Sequence, residues 1–548
     1  MKCKTAVSGH RLAYATTMLP LLLLLTLPVV LQAQFYSYPF YYSTNNNAVT
    51  IIAYNGSGGA VNIPSTISGL PVTSIGANAF YNTFYNNYSA RLTNVTIPDS
   101  VITIGTNAFG FCTNLTNVTI GTNVTSIDDE SFYNCTKLTS VTIPSAVTNI
   151  GAGAFANCPS LTGITVDPRN PVYSSVDGVL FNQIQSTLIQ CPQGIVGAFM
   201  IPSGVTAITD QAFQYCGSLT SVTIPDSITN MGNSTFQYCT SLTNVNIGTS
   251  VTSIGVGVFM SCSKLVNFMI PYGVTSIGDQ AFQYCGSLTS IAIPNCVTNI
   301  GNLTFEYCTN LSSAGIGTNV TSIGYGDFSY DANLINVTFP NSITAIGALA
   351  FNGCTSLSSA TIPDSVTSIG ADAFAGCGLT TLRIGNGVTS IGPSALEGLT
   401  RLTTSVTIPS SVTNIGDYGL AVDWRVKAFF FQGNAPSIGP NTFWDDFNQT
   451  VYYLPGTSGW TNTFGGIPAV LWNPQAQTSD GSFGVQNNQF GFNITGTTNI
   501  PIVVAGCTNL AKGAWIQLQT TTLTNGSFYF ADTKWTNYLS RFYRISSP

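Results

Sequence analysis

The sequence predicts a β-rich solenoid, with short strands stacked in a right-handed coil or horseshoe and a small C-terminal all-β domain behind it. Three observations carry that expectation. A phenylalanine recurs with a 23-residue step at Phe109, Phe132 and Phe155, and again at Phe213, Phe236, Phe259, Phe282, Phe305, Phe328, Phe351 and Phe374. Short runs of alternating apolar and polar residues, the period of a half-buried strand, lie ahead of each phenylalanine. The 548 residues are 44% hydrophobic but only 7% charged, where about 25% is usual. Thr, Ser, Asn and Gly must therefore carry solubility, and a fixed internal period in such a chain is the signature of a stacked array.

One unit, Leu219 to Thr240, reads LTSVTIPDSITNMGNSTFQYCT. Leu219, Val222 and Ile224 point inward from a short extended segment, and Ser221 and Thr223 face out. Pro225 removes a backbone donor and ends that strand. Ile228 and Met231 begin a second extended stretch, Gly232 allows a turn, and Phe236 plugs the coil from the far side. A single coil cannot bury both sides of its core, so neighbours must bury each other. At a strand spacing of about 4.8 Å, some fifteen coils would extend on the order of 70 Å.

In general form the unit is L-x-x-V-x-I-P-x-x-V-x-x-I-G-x-x-A-F-x-x-C-x-x, held in register over roughly residues 70–445. It resembles the leucine-rich repeats of BspA-like bacterial surface antigens, whose consensus includes the string IPxxVxxIGxxAFxxC. The resemblance rests on the spacing, the IG step and the Phe-to-Cys interval. It implies a leucine-rich repeat solenoid in a secreted or surface-attached protein of the adhesion and protein-binding kind. It implies a recognition scaffold without naming a ligand.

The elements follow in order. Lys2, Lys4 and Arg11 precede an apolar run, Met18 to Leu31, and Ala33 supplies a small residue, so residues 1–33 read as an export signal cut after Ala33. That run is shorter than the roughly 20 residues that span a bilayer. Cys3 lies ahead of it, where it cannot be a lipoprotein's acylated cysteine. The only histidine, His10, leaves with the signal. Residues 34–69 are expected to form an N-terminal cap, and 70–445 the repeats. From Phe155 to Phe213 the step is 58 residues instead of 46. The extra sequence near 167–194 reads as a hairpin-like variant coil with a tight turn at Val176 to Gly178, or else as a projecting binding loop. VYYLPGTSGW and FGGIPAVLW place a C-terminal cap at 446–472, because the last coil would otherwise expose its core. A polar linker is expected at 473–481. Alternating runs such as FGFNITG, IPIVVAG and GSFYFAD predict a β-sandwich-like domain at 482–548. It resembles terminal domains appended to large exported bacterial proteins, which implies attachment or sorting.

Catalytic chemistry finds little support. Net charge is −6 and basic residues are scattered singly, so the stripe that nucleic acid requires is missing and no nucleic-acid partner is expected. Ten cysteines follow the repeat phenylalanine by three residues, from Cys112 to Cys377. Stacked in register they would sit about 4.8 Å apart, wider than the roughly 3.8 Å between Cβ atoms in a relaxed disulfide. They read as a buried ladder of free thiols that act as small apolar side chains. Metal and cofactor sites are not expected, since thiol pairs and histidines are lacking, and His-dependent triads are impossible after signal removal. Carboxylates that could run glycoside hydrolysis are Asp128, Asp129 and Glu130, or Asp445 and Asp446. Both groups read more simply as solvated turn residues.

Two rows remain as candidate binding residues. Outward positions of the first strand give a neutral ladder that includes Ser221, Thr223, Asn244, Asn267 and Met269. Tyrosines preceding the cysteines, Tyr215, Tyr238, Tyr284 and Tyr307, give a second row. Each row either stabilises the stack or recognises a protein or polysaccharide on a cell surface or matrix. Three functions follow from these readings: a monomeric, non-enzymatic adhesion protein, an exported carbohydrate-binding accessory protein or carbohydrate-active enzyme, and a hydroxyl-faced ice-binding or coat protein.

Overall fold

The computed structural model describes residues 35–81, 91–446 and 448–547; the export signal expected at residues 1–33 lies outside the described residues. Its repeats build two parallel strand ladders. First strands such as Leu219–Ile224 and Asn244–Ile247 pair in parallel, Ser221 opposite Asn244 and Val222 opposite Val245. The strand stops at Ile224 because Pro225 follows, and the Pro225 carbonyl accepts the Ile228 N–H at 3.1 Å to close the turn. Second strands are two-residue pieces such as Ser253–Ile254, Ser276–Ile277 and Asn299–Ile300, stacked Ile on Ile. The turn that follows carries the phenylalanine. It is tied to the next coil by its own hydrogen bonds, Phe213 N–H to the Thr235 carbonyl at 2.9 Å and Phe236 N–H to the Val258 carbonyl at 2.8 Å.

Gly232, expected to permit a turn, serves close approach instead. A Cβ there would stand 2.3 Å from the backbone nitrogen of Asp210, and Gly301 repeats the contact against Asp279. Glycine at the IG step thus sets the coil-to-coil spacing. Freedom of φ matters elsewhere, because residues two beyond the phenylalanine adopt the left-handed region: Asn134, Tyr215, Tyr238, Tyr284, Tyr307 and Tyr330 all have φ near +60°.

Stacked phenylalanines form the spine of the core. Phe236, Phe259, Phe282, Phe305, Phe328, Phe351 and Phe374 lie in series with ring centroids 5.2–5.5 Å apart. The apolar interior falls into two blocks. One runs from Phe40 to Ile164 and ends on Leu180. The other begins with Val179, Phe181 and Leu188 and continues to Ala469. The variant coil is the divide. Tyr173–Val176 and Val179–Asn182 form an antiparallel hairpin, and Thr187–Gln190 returns to the second-strand ladder opposite Ala207–Ile208.

Both ends of the array are closed by aromatic residues. At the N-terminal end, Phe35–Ser37, Phe40–Asn45 and Ala48–Tyr54 pair antiparallel. Tyr54 and Phe40 then cover Phe80, at 5.0 and 6.4 Å between centroids. Parallel pairing already begins within the expected cap, where Ala48–Tyr54 joins Leu70–Ile75. At the other end Trp460 stacks on Tyr453 at 5.1 Å, with Phe464 and Phe431 against it.

The smaller C-terminal β domain comprises two antiparallel sheets, one built on Gln489–Thr495 and Ser527–Asp532, the other on Pro501–Cys507 between Ile516–Thr522 and Phe542–Ser546. Gln475–Ala476 pairs with Ile494 and Thr495, so part of the expected 473–481 linker is an edge strand of this domain. Its core of Phe492, Ile494, Ile502, Val504 and Phe530 is continuous with Phe430 and Tyr452 of the last coils. Trp472 seals the join by donating from Nε1 to the Pro501 carbonyl at 2.8 Å. The domain is docked onto the strand face of the array.

Candidate binding surfaces

Ser221, Thr223, Asn244, Asn267 and Met269 all sit on first-strand positions of three successive coils. Val222, Val245 and Phe268 turn inward beside them, and that alternation forces the polar partners out. Asn244 and Asn267 are exposed, Ser221 and Thr223 half-exposed, and Met269 is 83% exposed. Hydroxyls in the neighbouring columns are consumed by the fold: Thr243 donates to the Thr220 carbonyl at 3.0 Å, and Thr252 and Thr275 each donate one coil back at 3.2 Å. Among the described residues no such bond engages the side chains of Ser221, Thr223, Asn244 or Asn267. They keep their donors and acceptors for water or a ligand.

The tyrosines form two stacks on the turn that follows the phenylalanine. Tyr215 and Tyr238 lie parallel at 4.9 Å, and Tyr284, Tyr307 and Tyr330 continue at 5.0 and 4.8 Å. Ser261 separates the stacks. Ring faces within a stack are taken by neighbours, so edges and hydroxyls are what the row presents. Tyr284 and Tyr330 are 44% and 45% exposed. Tyr330 escapes a search keyed on Tyr-Cys, because its coil has Asp331 where others have cysteine. The strand row and the tyrosine row occupy different elements of the coil and are not brought together.

The cysteines lie where the sequence places them. Cys239, Cys262 and Cys285 are buried free thiols, each donating at 3.1 Å to the carbonyl of the phenylalanine one coil back. Burial pushes Cys285 and Cys377 up to about 12.

Asp128, Asp129 and Glu130 hold turns as expected. Asp129 accepts the Ala152 N–H at 2.8 Å, and Glu130 accepts from Asn107 Nδ2 at 3.0 Å. Asp446 corrects the expectation of a solvated carboxylate. It replaces cysteine three residues after Phe443, is buried, and accepts the Asp423 N–H at 2.9 Å; burial pushes its carboxyl up to about 7. Asp331 and Asp423 occupy the same position in their coils, and burial holds both well above the usual carboxylate range. These acids are enclosed in their coils at the cysteine position. Among the described residues no group of three His, Cys, Asp or Glu side chains could hold a metal ion.

Residues 73–197, 193–312 and 321–450 match the BspA type leucine rich repeat region, in six copies. The chain belongs to this BspA-type leucine-rich repeat family. Among solved structures it is similar to a leucine-rich cell surface protein of Faecalibacterium prausnitzii, at 28% identity over 52% of this chain and 94% of that one, TM-score 0.36. It is also similar to a leucine-rich repeat protein of Bacteroides ovatus, at 24% identity over 77% and 94%, TM-score 0.45. The pneumococcal vaccine antigen PcpA is a third, at 17% identity over 73% and 94%, TM-score 0.38. No curated protein matches the sequence. Within the BspA-type array, no helix among the described residues is long and apolar enough to cross a membrane.

Proposed function

We propose that the chain is a secreted or cell-surface binding protein that recognises a protein or polysaccharide through its repeat array, as a monomer and without catalysis. The observation that carries this reading is the strand row: Ser221, Thr223 and Asn244 project from paired parallel strands, and Asn267 from the coil that follows, with side chains that the fold does not use. A preorganised face of that kind loses little conformational entropy when it docks. Export is supported by the basic, apolar and small-residue sequence of residues 1–33. Surface attachment or sorting is the role we assign to the C-terminal domain.

A binding screen tests the proposal, using the chain from Gln34 to Pro548 against matrix proteins, whole bacteria and polysaccharides. The whole mature chain is the right reagent, because ending it at Trp472 would uncover Phe430 and Tyr452. Saturable binding weakened by Thr223→Ala with Asn244→Ala is the expected result. An absence of binding across the panel, or binding indifferent to the row, contradicts it.

A further inference from the structure

The variant coil leaves a gap in the turn side of the array. The preceding coil runs from Asn149–Ile150 to its next first strand, Gly163–Val166, through a full turn containing Phe155. The variant coil joins Thr187–Gln190 to Gly197–Met200 through Cys191 to Val196 alone, a connection with no phenylalanine. Cys191 takes the phenylalanine's backbone role by donating to the Ala212 carbonyl at 2.8 Å, and the buried Gln193 side chain donates from Nε2 to the Gln214 carbonyl at 2.8 Å, but the connection is otherwise shorter than a full turn. The result is a notch of about 470 Å³ between Gly153 and Ala156 on one side and Gln211 and Tyr215 on the other. That size is typical of a ligand pocket. A smaller hollow of about 320 Å³ adjoins it at Gly153.

The lining has a definite chemistry. Tyr81, Phe111 and Tyr133 step along one wall with centroids 5.3 and 5.4 Å apart and rings turned 73° and 64° to each other. Tyr215 lines the facing wall. Burial, with the Tyr133 hydroxyl next in effect, pushes Tyr215 up to about 12, so its hydroxyl stays a donor. Asn78 and Gln211 add carboxamides, each offering a donor and an acceptor side by side, while Asn107 Nδ2 donates to Glu130 and Gln214 Nε2 to Gln237. Among the described residues, Glu130 is the one charged residue in the lining, and no lysine or arginine lines the notch.

We propose that this notch binds a short stretch of neutral oligosaccharide. Rings supply surfaces for the C–H faces of sugar rings, and adjacent donor and acceptor atoms suit vicinal hydroxyls. Glu130 disfavours phosphate, sulfate and uronate, which share its sign. A peptide is less well served. The strand edge at Asn149–Ile150 is sealed by Tyr173, whose hydroxyl accepts the Ile150 N–H at 3.1 Å, so no peptide strand can add there. The inference rests on the binding-scaffold reading but uses a site separate from the strand row.

Isothermal titration of the chain from Gln34 to Pro548 with cellotetraose, maltotetraose, mannotetraose and xylotetraose tests it. At least one sugar should bind saturably. Tyr133→Ala and Tyr215→Gly should each weaken that binding about tenfold or more. The glycine also suits the φ of +63° at position 215. Glu130→Gln, on the exposed rim, guards against misfolding as the cause and should weaken binding while leaving the melting temperature unchanged. Thr223→Ala should leave it untouched. Failure of all four sugars to bind, or binding indifferent to the three notch changes, overturns the proposal. If matrix or cell-surface binding then persists and depends on Thr223, the notch falls and the strand-row reading stands.

Discussion

Phe259→Ala removes a ring that is fully buried and touches three others, Phe236 and Phe282 at 5.5 Å and Phe268 at 4.8 Å between centroids. A buried Phe→Ala change costs about 3–5 kcal/mol. Each aromatic pair accounts for about 0.5–1.5 kcal/mol of that beyond the area it covers. In a stacked array the loss falls on the altered coil and its two interfaces. The core is also divided at the variant coil, so the damage should stop there. Hydrogen exchange read by mass spectrometry resolves this. Amides from Leu219 to Ile300 should exchange faster by about 10²-fold or more, at roughly 1.4 kcal/mol per factor of ten. Amides from Leu92 to Val166 should keep the parent rates. A loss below about 1 kcal/mol would refute the packing argument. Equal acceleration in both blocks would refute the division of the core.

Three further outcomes are expected. Neither carboxylate oxygen of Asp331 accepts a hydrogen bond of normal geometry, and burial raises its carboxyl well above the usual range, whereas the unfolded chain ionises it above about pH 4. Its penalty is therefore absent in acid and grows as pH rises from the unfolded carboxyl's range toward the folded value. Asp331→Cys should stabilise the protein at neutral pH by about 1–3 kcal/mol and change little near pH 4, as checked by denaturant unfolding at both. Buried thiols such as Cys239, Cys262 and Cys285 should resist alkylation in the native protein, and half-buried Cys296 should react first; mass spectrometry after brief iodoacetamide treatment decides it. Deleting 473–548 should uncover Phe430 and Tyr452, each worth about 1.5–3 kcal/mol of burial, and lower the melting temperature with a gain of dye-binding apolar surface.

Much of the fold was legible because every coil solves the same packing problem. Val222, Ile224 and Phe236 must face inward for the stack to close, and Pro225 must end a strand wherever it recurs. The exceptions were legible as breaks in pattern but not in meaning. Asp446 reads as a solvated turn residue, and only the coil geometry shows that it, like Asp331 and Asp423, occupies the enclosed cysteine position. Phe429 to Phe431 abandons alternation, with all three residues buried, because the C-terminal domain covers the outward side of the strand. The lengthened interval before Phe213 announced a variant coil. That its missing turn opens a notch between Tyr133 and Tyr215 depends on which part of the repeat was omitted, and spacing alone does not reveal this.

The central claim is that recognition resides in the repeat array. It is tested most directly by the hydrogen-exchange footprint of the chain from Gln34 to Pro548, bound to whichever matrix protein, bacterial surface or polysaccharide the screen identifies. The account predicts protection confined to the strand row from Ser221 to Met269 or to the notch around Glu130 to Tyr133 and Gln211 to Tyr215. Protection found only within Gly484 to Ser546 would place recognition in the C-terminal domain and contradict it.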